Sequence, residues 1–420
     1  MSGIEGEKRI LVAGGGTGGH LFPGLAVVEE LRKRFSGIDV LFAGTAKGIE
    51  ARVLPSRGEA LELLEVTPLK GRSFGGLAAS LGRLPGSLAG AASVVRRHRA
   101  DLVIGVGGYA SGPICLAAAG LGVPVALLEQ NAHLGLTNRL LSPVVGRAYV
   151  TYAATAARFG ERARVVGNPI RPELARAAKR AAADPEGFEA RARGVLVFGG
   201  SQGAQALNET VPEALAAAEL GGRPVVHQTG AAMRDAVEAR YRELGFRIGS
   251  GPGEVTVTPF IDDMAAAYAD AALVVSRAGA TTLAELTAVG RPAVLVPFPH
   301  AADDHQAKNA RALADAGAAR AILERDLEVA SLAATVSEIL GDEAMRRGMA
   351  EAARRLGKPE AAADIVDDLA GWLGWTERPV PPRREPSESS YRLLLDAPSQ
   401  LDVPLPPRRP LVFDGAHAWA

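Results

Sequence analysis

Two series of short apolar segments, each rich in β-branched residues, alternate with longer Ala- and Leu-rich stretches along the chain. This alternation is typical of parallel strands joined by crossover helices, and strands that are apolar throughout are expected where helices cover both faces of a sheet. The sequence therefore predicts an α/β fold. The predicted strands are Arg9–Ala13, Val40–Ala43, Leu102–Ile104, Val125–Leu128, Ala148–Thr151 and Arg164–Val166 in the first series, and Val195–Phe198, Val225–Gln228, Val255–Thr258, Leu273–Ser276 and Ala293–Val296 in the second.

The chain is predicted to form two domains, because 420 residues exceed what one hydrophobic core usually holds. Both series open with a strand that runs into glycines and a small hydroxyl residue, at 14–19 and at 199–203. We therefore expect two facing, doubly wound, Rossmann-like domains, residues 1–168 and 169–358, with a ligand cleft between the carboxyl ends of their sheets.

Composition excludes several classes of protein. Lys and Arg together number 47, as do Asp and Glu, so no net charge drives bulk nucleic-acid binding. The single cysteine, Cys115, excludes a disulfide framework and a multi-cysteine metal site. The N-terminus lacks the basic head and long apolar centre of a signal peptide. Residues 102–128 carry no formal charge, but their glycines and prolines favour strand, loop and helix over a membrane span.

The C-terminal segment 376–420 differs in kind from the rest of the chain. It holds nine of the 27 prolines, and its six acidic residues are balanced by six arginines. Because this composition disfavours helix and sheet, we predict a disordered or polyproline-like tail. A docking segment for another protein is the alternative.

Gly14, Gly16 and Gly19 lie between a predicted strand and a predicted helix with dinucleotide-binding spacing. A nicotinamide enzyme would also need an acidic residue at the carboxyl end of the next strand, whereas Asp39 lies at the opposite end. The pattern therefore predicts an anion-binding loop, with a purely structural tight turn as the alternative.

His20 closes this loop at the start of the predicted helix. A helix N-terminus lowers a histidine pKa and favours the neutral, proton-accepting imidazole, so His20 is a candidate general base. A histidine bonded only to the backbone is the alternative.

Three further loops, at residues 105–112, 199–203 and 276–285, follow predicted strands and present amides or hydroxyl groups to an anion. Glu285 could accept hydrogen bonds from a ribose diol or could be an ordinary capping or surface glutamate. The adjacent aspartates at 262–263 and 303–304 diverge in direction, so no metal site is predicted.

Residues 68–99 mix apolar patches with lysine and arginine and contain no acidic residue. This pattern fits a surface for anionic lipid headgroups, and it fits equally an amphipathic helix pair with a solvated basic rim.

Taken together, these motifs resemble the MurG family of peptidoglycan glycosyltransferases over residues 8–372. The motifs that carry the resemblance are residues 14–20, 107–113, 129–131, 135–138, 166–171, 199–204, 260–264, 276–285 and 304–310. The resemblance implies the two-domain GT-B fold, with a last helix in 359–375 that returns to the first domain. The segment 376–420 has no counterpart in the family pattern.

The resemblance also implies the substrates and the residues that bind them. The expected reaction transfers N-acetylglucosamine from UDP-GlcNAc to the muramoyl 4-hydroxyl of the undecaprenyl-pyrophosphoryl-MurNAc-pentapeptide, with inversion and without a cofactor or metal. His20 is expected to act as the base and Glu285 to hold the donor ribose. The remaining donor residues are expected to be Thr17, Gly18, Gly19, Asn131, Arg171, Ser201, Ile261, Ala280, Thr281, Thr282, Leu283, Ala284 and Gln306.

The acceptor pyrophosphate is expected at the first-domain glycine loops, on Gly15, Gly16, Gly107, Gly108 and Tyr109. Peripheral attachment to the cytoplasmic side of the plasma membrane follows from the lipid-linked acceptor, and cell-wall synthesis proteins are compatible partners. His305 departs from the glutamine of some members, which affects one sugar contact. The alternatives are a GT-B enzyme with a soluble acceptor, a UDP-sugar epimerase or a non-catalytic scaffold.

Overall fold

The computed structural model describes residues 7–64, 74–200, 203–301 and 304–376 of the chain. The predicted tail, from residue 377 onward, and Ser201 of the predicted donor site lie outside these ranges.

The first lobe is built on a seven-stranded parallel sheet with the order β3-β2-β1-β4-β5-β6-β7. Its strands are β1 Lys8–Gly14, β2 Ile38–Gly44, β3 Ala60–Leu63, β4 Leu102–Gly107, β5 Val125–Glu129, β6 Arg147–Val150 and β7 Ala163–Val165. Its helices are α1 Gly18–Arg34, α2 Glu50–Ser56, α3 Phe74–His98, α4 Ser111–Gly120, α5 Leu136–Leu141 and α6 Ala153–Ala156.

The second lobe repeats this plan with the order β10-β11-β9-β8-β12-β13-β14. Its strands are β8 Gly194–Phe198, β9 Val225–Gln228, β10 Arg247–Ile248, β11 Glu254–Thr258, β12 Ala271–Ser276, β13 Ala293–Leu295 and β14 Ala319–Ala321. The remaining helices are α7 Pro172–Ala183, α8 Pro185–Arg191, α9 Gln205–Ala217, α10 Arg234–Glu243, α11 Met264–Asp270, α12 Ala280–Val289, α13 His305–Asp315, α14 Val329–Gly341, α15 Glu343–Leu356 and α16 Ala361–Leu373.

The strand order reverses between β1 and β4 in the first lobe and between β8 and β12 in the second. In a doubly wound sheet, ligands bind beyond the carboxyl ends of the strands at such a switch point. The four loops predicted from glycine and hydroxyl content follow these four strands. Sheet topology therefore brings all of them to the two switch points.

All eleven predicted strands are present, and three further strands in the described part of the chain were not predicted. The missed strands β3, β10 and β14 each lie at the edge of a sheet, where one neighbour is absent and a continuous apolar run is not required. β10 consists of only two residues, and β3 and β14 are largely exposed. The uncharged stretch 102–128 forms β4, α4 and most of β5, as expected.

The helix α16 packs against the first lobe, although it follows the second lobe in the chain. Asp368 accepts hydrogen bonds from Arg147 Nε at 2.9 Å, the Tyr149 hydroxyl at 2.9 Å and Arg164 Nε at 2.8 Å. Trp372 covers Gly146, where a Cβ atom would lie 2.2 Å from the indole. Ile365, Val366 and Leu369 complete the first-lobe core. Within the described ranges, no helix has the length and hydropathy needed to cross a membrane.

Candidate active site

A cavity of about 1790 Å³ is lined by the loops at both switch points. Most of the predicted donor and acceptor residues line it: Thr17, Gly18, Gly19, His20, Gly107, Gly108, Tyr109, Asn131, Arg171, Ile261, Ala280, Thr281, Thr282, Glu285 and Gln306. Gly15, Gly16, Leu283 and Ala284 do not contribute to the lining. Leu283 lies in the second-lobe core, because helical geometry turns it away from the cleft.

His20 lies in the first turn of α1 with its ring against Gly107, where a Cβ atom would be 2.7 Å from the imidazole Cδ2. The imidazole Nδ1 is 3.2 Å from the hydroxyl of Thr17. Burial is the main cause that lowers the pKa of His20, with a further contribution from His305, while the Gly15 backbone and Glu50 act in the opposite direction. The neutral, proton-accepting form of His20 therefore prevails near neutral pH.

The amides of Gly15 and Gly16 are already engaged within the protein. The Gly15 amide donates to the carbonyl of Gly107 at 3.2 Å, and the Gly16 amide donates to Glu50 Oε2 at 2.7 Å. Among the described residues, the amides of Gly108 and Tyr109 have no protein acceptor. The amides of the second loop are therefore available to an anion in the first lobe, and the Gly15–Gly16 turn supports them.

Glu129, at the end of β5, organises the loop that carries Asn131, and sequence reasoning did not assign it a role. It is 4% exposed and accepts hydrogen bonds from the Asn131 amide at 3.1 Å, the Gly135 amide at 3.2 Å and Asn138 Nδ2 at 3.0 Å. Burial raises the pKa of Glu129, and these hydrogen bonds oppose the rise. Its position at the carboxyl end of a strand, beside Asn131, was the signal available in the sequence.

In the second lobe, Glu285 forms a buried ion pair with Arg171. Glu285 Oε1 accepts from Arg171 Nε at 3.0 Å and lies 2.8 Å from Arg171 Nη2, and the Tyr268 hydroxyl is 3.4 Å from Oε2. Glu285 is 3% exposed, and burial raises its pKa while Arg171 lowers it. The guanidinium also lies 5.5 Å from the ring centroid of Phe22 in the first lobe. Two predicted donor residues are thus brought together, and Tyr268 was missed.

The N-terminus of α12 faces the first-lobe loop. Helix N-terminal amides attract anions, and Ala280, Thr281 and Thr282 supply them here. The Thr281 hydroxyl donates to the carbonyl of Gly19 at 3.3 Å, which brings the two loops into contact. Further along the cavity wall, Gln306 Oε1 accepts from the Phe298 amide at 3.0 Å, so the position of this side chain is fixed in advance.

Exposed apolar side chains rim the first-lobe side of the cavity. Leu116, Leu136 and Leu140 are 45%, 39% and 63% exposed, and Arg139 lies among them on α5. Part of the predicted basic and apolar stretch at 68–99 forms α3, and its residues 68–73 lie outside the described ranges. Ser87 and Leu88 of α3 also line the cavity.

The two lobes, the switch-point loops and the cleft between them define a GT-B type glycosyltransferase. Residues 10–150 match the Glycosyltransferase family 28 N-terminal domain, and residues 194–369 match the Glycosyltransferase family 28 C-terminal domain. The chain belongs to this family.

Curated relatives and solved structures are more specific. The chain is 51% identical over 362 residues to the UDP-N-acetylglucosamine–N-acetylmuramyl-(pentapeptide) pyrophosphoryl-undecaprenol N-acetylglucosamine transferase of Anaeromyxobacter dehalogenans strain 2CP-1, covering 86% of this chain and 91% of that protein. The enzyme of the same name from Myxococcus xanthus strain DK1622 is 44% identical over 389 residues, covering 91% and 98%.

Acinetobacter baumannii MurG is similar in structure, with a TM-score of 0.68, 32% identity and coverage of 87% of this chain and 99% of that one. The resemblance to the MurG family stated from the motifs is therefore confirmed. A UDP-GlcNAc 2-epimerase from Neisseria meningitidis has a TM-score of 0.60 at 14% identity, covering 87% of this chain and 100% of that one, which indicates a shared fold only.

Proposed function

We propose that the protein transfers N-acetylglucosamine from UDP-GlcNAc to the 4-hydroxyl of the muramoyl group in undecaprenyl-pyrophosphoryl-MurNAc-pentapeptide. The observation that carries this proposal is the cleft itself, in which His20 on one lobe lies opposite the Arg171–Glu285 pair and the α12 N-terminus on the other. The relatives at 44–51% identity, whose names state the same donor, acceptor and transferred sugar, support it.

The second lobe holds the donor in this proposal. Glu285 accepts hydrogen bonds from the ribose hydroxyls, and Arg171 keeps its carboxylate ionised and oriented. The amides of Ala280, Thr281 and Thr282 bind the diphosphate. The backbone of Ile261 contacts the uracil, and Gln306 contacts the sugar hydroxyls. The other donor contacts are assigned to Ser201, Asn131, Thr17, Gly18 and Gly19, whereas Leu283 and Ala284 support the α12 N-terminus from the core side.

His20 acts as the general base. The neutral imidazole removes the proton of the muramoyl 4-hydroxyl while that oxygen forms a bond to the anomeric carbon of N-acetylglucosamine. The bond from the anomeric carbon to the phosphate oxygen breaks on the opposite face, which gives a β-1,4 linkage with inversion. The charge that develops on the departing UDP is stabilised by Arg171 and the α12 amides, and no step requires a metal.

The acceptor occupies the first lobe in this proposal. Its pyrophosphate binds at the first-lobe loops, on the amides of Gly108 and Tyr109 beside Gly107, and the Gly15–Gly16 turn supports this site. The exposed leucines and Arg139 at the rim contact the bilayer that carries the undecaprenyl chain. The protein accordingly attaches peripherally to the cytoplasmic face of the plasma membrane.

The direct test is transfer of radiolabel from UDP-GlcNAc to a lipid-linked muramoyl acceptor in detergent micelles. We expect a labelled disaccharide on the lipid, and no labelled product when the acceptor is omitted. Epimerisation of UDP-GlcNAc without an acceptor, or transfer only to a soluble sugar, would contradict the proposal.

A further inference from the structure

Glu50 is a buried carboxylate that has no role in the proposed mechanism. It is the first residue of α2 and is 1% exposed. Its Oε1 accepts from the Thr45 amide at 2.8 Å and from the Thr45 hydroxyl at 3.1 Å, and its Oε2 accepts from the Gly16 amide at 2.7 Å. Where side chains are described, none of the ion pairs involves Glu50. A buried carboxylate is costly unless its oxygens are satisfied, and here amides and a hydroxyl satisfy them.

Three glycines leave the room that this side chain occupies. A Cβ atom on Gly15 would lie 2.5 Å from Glu50 Oε2, one on Gly44 would lie 2.5 Å from Glu50 Cγ, and one on Gly48 would lie 2.1 Å from Oε2. Gly15 comes from the loop after β1, whereas Gly44 and Gly48 come from the end of β2 and the turn after it. The Glu50 carboxylate therefore occupies a space that glycines from two separate segments of the chain leave open.

The Glu50 carboxylate lies next to the segment that carries His20. Gly15 and Gly16 immediately precede Thr17, whose hydroxyl is 3.2 Å from the His20 Nδ1 atom. The backbone of Gly15 also acts on the His20 imidazole and favours its protonated form, which raises the pKa of the ring. Two charged or titratable groups on other elements act on this ring: Glu50 from α2 favours the protonated form, and His305 from α13 disfavours it.

We infer that Glu50 is a positioning residue for His20, an inference that rests on the proposed function of His20 as the base. The Glu50 carboxylate accepts a hydrogen bond from the Gly16 amide and so holds the first glycine loop against the end of β2. This contact fixes the position of the His20 imidazole against Gly107. By occupying that amide, the carboxylate also removes the Gly16 donor from those available to the acceptor pyrophosphate.

The test compares Glu50→Gln with a matched control, Glu62→Gln. Glu62 lies on the neighbouring strand β3 and makes only an exposed ion pair with Arg97, so its loss is expected to have little effect. In Glu50→Gln, kcat for transfer should fall about 10²-fold through misplacement of the base. The KM for UDP-GlcNAc should remain within about twofold of wild type, because the residues proposed to bind the ribose, the diphosphate and the uracil lie on the other lobe. An unchanged kcat, or equal losses in kcat and in donor affinity, would overturn the inference.

A second readout does not depend on activity. In an NMR titration of the His20 imidazole, the pKa should be lower in Glu50→Gln than in the wild type, because a negative charge that favours the protonated ring is removed. Glu62→Gln should leave the titration unchanged. An unchanged titration in Glu50→Gln would refute the coupling. Absence of transfer by the wild-type protein would instead refute the proposed function while this readout remained valid.

If Glu50→Gln does not fold, Glu50→Asp carries the same test. This substitution retains the negative charge, but the side chain is one methylene shorter, so the carboxylate lies farther from the Gly16 amide. We expect kcat to fall while the titration of His20 stays closer to that of the wild type. Full activity in Glu50→Asp would show that the contact with Gly16 is not needed.

Discussion

Arg171 Nη2 and Glu285 Oε1 lie 2.8 Å apart in the wall of the cleft, in a pair that joins the start of α7 to the first turns of α12. Glu285 is almost fully buried and Arg171 is partly buried, yet among the described residues Glu285 Oε2 has only the hydroxyl of Tyr268 as a partner, at 3.4 Å. One oxygen of the carboxylate is thus committed to the protein, and the other remains available to a ligand.

Substitution Glu285→Gln is expected to raise the KM for UDP-GlcNAc by about 10- to 100-fold, because one charge-assisted hydrogen bond to the ribose is lost and Arg171 is left without its counter-ion. Isothermal titration calorimetry with UDP measures the effect directly. Glu219→Gln, at an exposed position beyond α9, is the control and should leave binding unchanged. Wild-type affinity in Glu285→Gln would exclude the ribose contact.

Replacement His20→Ala should lower kcat by about 10²- to 10⁴-fold with little change in the affinity for UDP, since the base acts only in the chemical step. Because the pKa of His20 is lowered from 6.5, the wild-type kcat/KM should fall only as the pH drops through a value below 6.5, where the base becomes protonated. Steady-state kinetics across pH measure both effects. If kcat and UDP affinity fall together, His20 is a binding residue.

The hydrogen bonds that Asp368 accepts are expected to contribute to the free energy of unfolding. Burial alone would raise the pKa of Asp368, but hydrogen bonds from Arg164, Tyr149 and Arg147 outweigh it and lower the pKa below 3.8. Asp368→Ala should reduce the free energy of unfolding by about 2 kcal/mol at neutral pH. The difference from wild type should shrink as the pH falls below 3.8, because the carboxylate of the unfolded chain then binds its proton first, and it should vanish once the pH is also below the lower pKa of the folded state.

Urea unfolding at several pH values measures this difference. Asp367→Ala, which removes a more exposed partner of Arg34 on the same helix, is the matched control and should cost less than about 1 kcal/mol. Equal losses in the two variants would show that the three hydrogen bonds to Asp368 add nothing.

The exposed leucines at the rim of the cavity predict binding to anionic membranes. The double variant Leu136→Glu and Leu140→Glu should reduce co-sedimentation with anionic phospholipid vesicles by about tenfold or more, because two apolar contacts are replaced by charges that the headgroups repel. Val165→Glu, on the edge strand β7 and 51% exposed, is the control for an apolar surface residue outside the cavity rim. Unchanged binding in the double variant would place the lipid contact elsewhere.

The parts of the site that sequence predicted are those whose signal is local. The loop at 14–19 and the α12 N-terminus were found because a strand, a run of small residues and a helix follow one another directly. Glu50 was not found, since the amide that it binds is 34 residues away and the two meet only when β1 and β2 pair. Tyr268 was missed for a similar reason, because its contact with Glu285 forms only after α11 packs beside α12.

The return of α16 to the first lobe has a practical consequence for dissecting the enzyme. A fragment that ends before residue 172 would lack Ile365, Val366 and Leu369, and would leave Arg147 and Arg164 without their shared carboxylate. Consecutive halves of this polypeptide are therefore poor candidates for separate expression. A fragment of the first lobe in which α16 is fused ahead of β1 would keep the native packing of this helix on the first-lobe core within one chain.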